Sequence, residues 1–201
     1  MQIQTLEQLR ALYATPSKRA KGKEMTQLDV HAKNFLSISP FFMLSTYGKE
    51  GLADASPRGG KPGFVQILDD QRLVIPDSKG NNRLDSLSNI VETGQVGMLF
   101  LVPGMDETLR VNGKAHLSTD SALLDLFPHE QNPPKVAIVV EVESVFLHCA
   151  KALMRSQLWA PEVQIDRSSF PTIGQMLKDQ VGGPEAPESQ EEMVKRYQKD
   201  L

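Results

Sequence analysis

Between residues 41 and 148 the chain breaks into short apolar runs separated by turn residues. That spacing leaves room for little except antiparallel strands. FFMLSTY (41–47) and LADASPR (52–58) flank the turn Gly48-Lys49-Glu50-Gly51, which predicts a hairpin. FVQIL (64–68) and RLVIP (72–76) flank Asp69-Asp70-Gln71 and predict a second one. QVGMLFLV (95–102) and TLRVNGKAHLS (108–118) are joined by PGMDE, and the β-branched run KVAIVVEVESVFLH (135–148) closes the series. Asn112-Gly113 reads as a bulge within one long strand, because a hairpin there would leave very short arms.

One segment interrupts the strands. Leu84, Leu87, Ile90 and Val91 recur at helical spacing, and a shorter helix is expected in DSALLDLF (120–127). Six or seven strands in hairpin order imply a mainly β protein, a small antiparallel barrel with helices packed outside. Residues 1–35 read as helical, with one stripe at Leu6, Leu9 and Leu12 and another at Leu28, Ala32 and Phe35. Residues 150–180 read as helical or irregular, and the polar tail from Gly182 reads as a linker with a mobile charged end. The expected organisation is a helical extension over 1–34, a barrel over 35–165 and a C-terminal extension over 166–201.

Composition narrows the function classes. With 40% hydrophobic and 23% charged residues the chain is an ordinary globular type, and its net charge of -3 gives no basic footprint for nucleic acid. The N-terminus is too polar for a secretion signal, and no apolar run approaches the ~20 residues of a membrane span. Cys149 is the single cysteine, so no intrachain disulfide forms, and a cytoplasmic setting is expected. As one cysteine at a strand end, it reads as buried and inert. The four histidines have no metal-ligand spacing, so no metal site is expected, and no acid, base or nucleophile constellation stands out.

Four segments carry recognition chemistry. In LVIPDSKGNNRLDSLSNI (73–90) a strand ends at Pro76, a loop carries Lys79, Asn82 and Arg83, and a helix follows with Ser86 in its first turn. Strand, cationic loop and helix start are the parts of an anion site, although such loops are also common solvated surfaces. In DASPRGGKPGFV (54–65), Arg58 enters a glycine-rich stretch where its donor fork could meet a phosphate or carbonyl, or only water. In ETLRVNGKAHLS (107–118), alternation puts Thr108, Arg110 and Asn112 on one face. In HCAKALMRSQLWAPE (148–162), Lys151 and Arg155 share a face if the segment is helical, and Trp159 is either core or the cover of a ring system.

Taken in this order, the four segments resemble the pyridoxamine 5'-phosphate oxidase-like family of FMN-binding split β-barrels, over roughly residues 35–165. The resemblance implies a six-stranded antiparallel split barrel that forms a homodimer, with FMN at the subunit interface. It places the phosphate on Lys79, Asn82, Arg83 and Ser86, and the isoalloxazine against Ser56, Pro57 and Arg58. It puts Thr108 where relatives often carry a Gln near the ring. It brings Lys151, Arg155, Ser156 and Trp159 from the second subunit. The C-terminal Arg, Leu, His and Arg motif of true pyridoxamine-phosphate oxidases is absent from EAPESQEEMVKRYQKDL, which argues against vitamin B6 oxidation. The implied activity is an FMN-dependent oxidoreductase acting on a small molecule. A flavin carrier or sensor, a deazaflavin protein, or a haem protein using His116, His129 or His148 are the alternatives.

Overall fold

A computed structural model describes residues 2–128 and 131–200. Its centre is one antiparallel sheet of seven strands: β1 (Phe41–Tyr47), β2 (Ala53–Gly59), β3 (Gln66–Ile67), β4 (Arg72–Pro76), β5 (Gln95–Leu101), β6 (Thr108–Ser118) and β7 (Ala137–His148). They lie in the order β2-β1-β5-β6-β7-β4-β3. This corrects the six-stranded barrel: a seventh strand, β3, caps one edge with two residues, and among the described residues no ladder joins the edges β2 and β3. β3 is short because residues 60–65 run as a Gly- and Pro-containing loop, so only Gln66 and Ile67 pair with Val74 and Leu73.

The strand periodicity explains the core. Phe42 and Leu44 on β1, Met98 and Phe100 on β5, Leu109 and Val111 on β6, and Ile138 and Val140 on β7 are all buried on one side of the sheet. Two helices cover that side: α3 (Val30–Ile38), through Ala32, Phe35 and Leu36, and α4 (Asp85–Thr93), through Leu87 and Ile90. The register of β6 against β7 slips between Asn112 and Gly113, but the bulge is not in β6, where it was expected, since β6 pairs with β5 without a break. The extra residue is Glu143 on β7, because Asn112 faces Ser144 and Gly113 faces Val142. A smaller cluster of Val74, Phe127 and Ala137 lies under α5 (Ser121–Leu124).

The extensions differ from the sequence reading in two places. The Leu6, Leu9 and Leu12 stripe on and just after α1 (Leu6–Ala11) is exposed, and α2 (Lys18–Gly22) buries no residue. The tail is not featureless: α8 (Gln190–Tyr197) starts at a capping box in which Ser189 and Glu192 satisfy each other's backbone N–H. Two further helices, α6 (Lys151–Ser156) and α7 (Ile173–Val181), precede it. Cys149 is exposed, contrary to the buried cysteine expected, because β7 ends at His148 and the chain has left the sheet. Among the described residues no helix is long and apolar enough to cross a membrane.

Candidate functional site

β2 is an edge strand, so the side chains at Asp54, Ser56 and Arg58 share one face and have no further strand beside them. The loop from Pro76 to α4 crosses in front of that face. Together they enclose a cavity of about 610 Å³. That is within the range of roughly 300–1,000 Å³ typical of small-molecule sites.

The start of α4 has no side-chain cap. Its N-cap residue, Leu84, is a leucine at φ 61°, and Asn82 two positions earlier sits at φ 60°. Left-handed backbone costs little for Asn but is uncommon for Leu, and such strain concentrates at binding sites. The first intrahelical bond runs from the Ser88 N–H to the Leu84 carbonyl. The N–H groups of Asp85, Ser86 and Leu87 therefore have no backbone acceptor among the described residues, and all three residues line the cavity. This is the local arrangement that attracts an anion.

Three of the basic side chains predicted for the site, Arg58, Lys79 and Arg83, line this cavity, and each already has a carboxylate partner. Arg58 Nη1 donates to Asp77 Oδ1 at 3.2 Å, with both side chains about one-fifth exposed (20% and 21%). Arg58 Nε is buried with no partner among the described residues. Arg83 Nε donates to Asp85 Oδ2 at 2.8 Å, and this bond pushes the guanidinium pKa up. Lys79 Nζ meets Asp200 Oδ1 at 2.5 Å, so the last turn of the tail lies against the loop. An incoming anion must exchange with these carboxylates.

A second polar chain lies beside the helix start. The Ser86 hydroxyl donates to Asp54 Oδ2 at 2.6 Å, and Ser56 Oγ lies 2.8 Å from Ser86 Oγ. The structure thus brings Ser56, Arg58, Lys79, Asn82, Arg83 and Ser86 to one cavity. It adds Asp54, Asp77, Asp85, Asn132 and Lys135, which the sequence reading missed. Asp54 was findable, since it sits two residues before Ser56 on the same strand face.

The other predicted residues lie elsewhere in the single chain. Pro57 points to the opposite face of β2 and is exposed. Thr108 is buried at the start of β6, opposite His148. Lys151, Arg155 and Ser156 belong to α6, and none of them lines the cavity. Trp159 is half-buried and donates its indole N–H to the Met105 carbonyl at 2.8 Å. His148 Nε2 is buried without a partner among the described residues; burial, then Arg110 and Lys23, push its pKa down. His116 is exposed, and His129 lies outside the described residues. Among the described residues no group of three His, Cys, Asp or Glu side chains is placed to hold a metal ion.

A family profile described as pyridoxamine 5'-phosphate oxidase matches residues 28–149, more than half of the chain. No curated protein sequence matches. Among solved structures, HupZ from Group A Streptococcus superposes with a TM-score of 0.50 at 18% identity, covering 60% of this chain and 93% of that one. A histidine-to-alanine variant of the same protein gives 0.51 at 17% identity, covering 62% and 100%. A candidate pyridoxamine 5'-phosphate oxidase from Lactobacillus delbrueckii gives 0.48 at 18% identity, covering 61% and 95%. At these identities the likeness to HupZ speaks to the fold alone.

Proposed function

Because this chain belongs to the pyridoxamine 5'-phosphate oxidase family, we propose that it is an FMN-dependent oxidoreductase that works as a homodimer on a small molecule. The observation that carries this reading is the uncapped start of α4, where three N–H groups converge with Lys79, Arg83 and Arg58 on one cavity. Those donors fit a dianionic phosphate, whose charge complements the helix end and the guanidinium forks. Arg83 and Lys79 anchor the phosphate, and Arg58, held by Asp77, reaches along β2 towards the ring. A bound flavin supplies hydride and electron chemistry at its ring nitrogen, which a chain without a recognisable acid, base or nucleophile set must borrow. Thr108, Lys151, Arg155, Ser156 and Trp159 lie outside the cavity of one chain, so their proposed part is from the partner copy.

The face of the sheet turned away from the core supports the dimer. Met43, Pro57 and Leu99 are neighbours across β1, β2 and β5, and Tyr47 pairs with Ala53 on the same side. Tyr47, Ala53, Ala55 and Pro57 are exposed there. Small and apolar side chains without a covering layer let a second surface approach closely. An Ala55→Arg substitution places a charge in the middle of that face. It is expected to convert a dimer into monomers in analytical ultracentrifugation and to release FMN as it does so. A dimer unchanged by Ala55→Arg would put the interface on another surface.

Isolation of the full-length chain tests the cofactor directly. The expected result is a yellow protein absorbing near ~450 nm that bleaches with dithionite. Steady oxidation of a reduced nicotinamide with an added acceptor distinguishes an enzyme from a flavin carrier. A colourless chain that takes up no added FMN overturns the reading.

A further inference from the structure

The charge pattern of the cavity contains an apparent contradiction. A site for a dianion carries a carboxylate, Asp54, on its inner wall, one hydroxyl away from the helix end. Simple electrostatics makes that carboxylate unfavourable for the phosphate. The hydrogen bonds around it show what it does instead. A hydroxyl has one proton, and an ionised carboxylate only accepts. Ser86 spends its proton on Asp54 at 2.6 Å. The 2.8 Å contact between Ser86 Oγ and Ser56 Oγ must then be donated by Ser56. Both hydroxyl protons point inward along the chain Ser56, Ser86, Asp54. Ser56 lines the cavity and has only lone pairs left to offer it.

We propose that Asp54 is a positioning residue that fixes Ser56 as a hydrogen-bond acceptor, so that the wall beyond the phosphate site selects a ligand carrying hydroxyl donors, a polyol phosphate. This rests on the phosphate site proposed above and adds the chemistry of the segment attached to it. Ser86 divides its two groups between the tasks: its backbone N–H belongs to the helix end, and its hydroxyl belongs to the Asp54 chain. Ser86 is 3% exposed, so its hydroxyl cannot turn to solvent and the polarity is locked. Along β2 the same face then offers an acceptor at Ser56 and a donor at Arg58, about 7 Å apart for alternate strand residues. A flat anion without hydroxyls satisfies neither Ser56 nor Asp54.

The test uses full-length protein and four probes: FMN, riboflavin, lumiflavin and inorganic phosphate. Riboflavin keeps the polyol without the phosphate, and lumiflavin has neither. In the wild type, riboflavin is expected to bind about tenfold more tightly than lumiflavin. Asp54→Ala frees both hydroxyl protons and should remove that preference, while binding inorganic phosphate at least as tightly as before. Ser56→Ala should remove the same preference, and the double variant should be no worse than either single one, because the residues act as one unit. Asp54→Asn, whose amide oxygen still accepts from Ser86, should keep most of the preference. Equal behaviour of Asp54→Ala and Asp54→Asn, or a preference intact in Ser56→Ala, overturns the proposal. Failure of the wild type to bind FMN or phosphate overturns the phosphate site itself, a separate result. Unchanged melting of Ser56→Ala keeps the test valid if an Asp54 variant unfolds.

Discussion

Gly113→Ala is expected to destabilise the protein by about 3 kcal/mol or more, at the upper end of overpacking substitutions. A Cβ on Gly113 would lie 2.0 Å from the Glu141 carbonyl oxygen and 2.9 Å from its carbon. Both are backbone atoms of β7, so no rotamer change relieves the overlap. The cause is the bulge: Glu143 is the unpaired extra residue, and the two strands press together where the register slips. β6 and β7 bear Leu109, Val111, Val140 and Val142, all buried, so separating them opens the core. The substitution should lower the melting temperature by roughly 6–12 °C for a chain of this size. Gly97→Ala is the control on a neighbouring strand. Its Cβ would meet only the movable end of Asn112, at 3.3 Å, and Ser45 Cβ at 3.8 Å. Its cost should stay below about 1 kcal/mol. Equal melting of the Gly113→Ala variant and the wild type would show that β7 is free to shift at the bulge.

The place of this irregularity was legible in the sequence, but not its strand. A long run interrupted by Asn-Gly, with arms too short for a hairpin, pointed to a bulge in β6, whereas the extra residue is Glu143 on β7. Strands such as RLVIP were legible because turn residues bound them, and α4 because Leu87 and Ile90 keep helical spacing. β3 was legible as the partner of RLVIP in a hairpin, but not its length: of FVQIL only Gln66 and Ile67 pair. α8 carried a signal, Ser189-x-x-Glu192, that the polar composition of the tail obscured. The burial of Cys149 was misread because adjacency to a strand says nothing about where the strand ends. At the site, the cationic loop and the β2 residues could be named because each lies in a short local motif. Of their carboxylate partners, Asp54 and Asp85 lie in those same motifs, Asp85 two residues from Arg83, while the others could not be named. Asp77 and Asp200 meet Arg58 and Lys79 across 19 and 121 positions of sequence. Only the fold brings those charges together.

These pairs determine how anchor removal will read. Replacing both Lys79 and Arg83 by Ala is expected to weaken FMN binding about a hundredfold or more, from the loss of two charge-assisted contacts. The loss should exceed that of two simple contacts, because Asp85 then faces the phosphate with its neutralising partner gone. Folding should be unaffected, since both side chains are more than half exposed and neither packs in the core. Riboflavin, which has no phosphate, should bind the double variant almost as well as the wild type. Asp200→Asn should act in the opposite direction. It frees Lys79 from an exposed pair, so FMN affinity should rise about two- to fivefold, the effect fading in high salt. The opposite signs matter because a general disturbance of the loop would weaken binding in both variants. If Asp200→Asn also loses affinity, the tail supports the site instead of competing for it. If the Lys79 and Arg83 double variant binds FMN and riboflavin with unchanged affinities, the uncapped helix start is not where the phosphate sits.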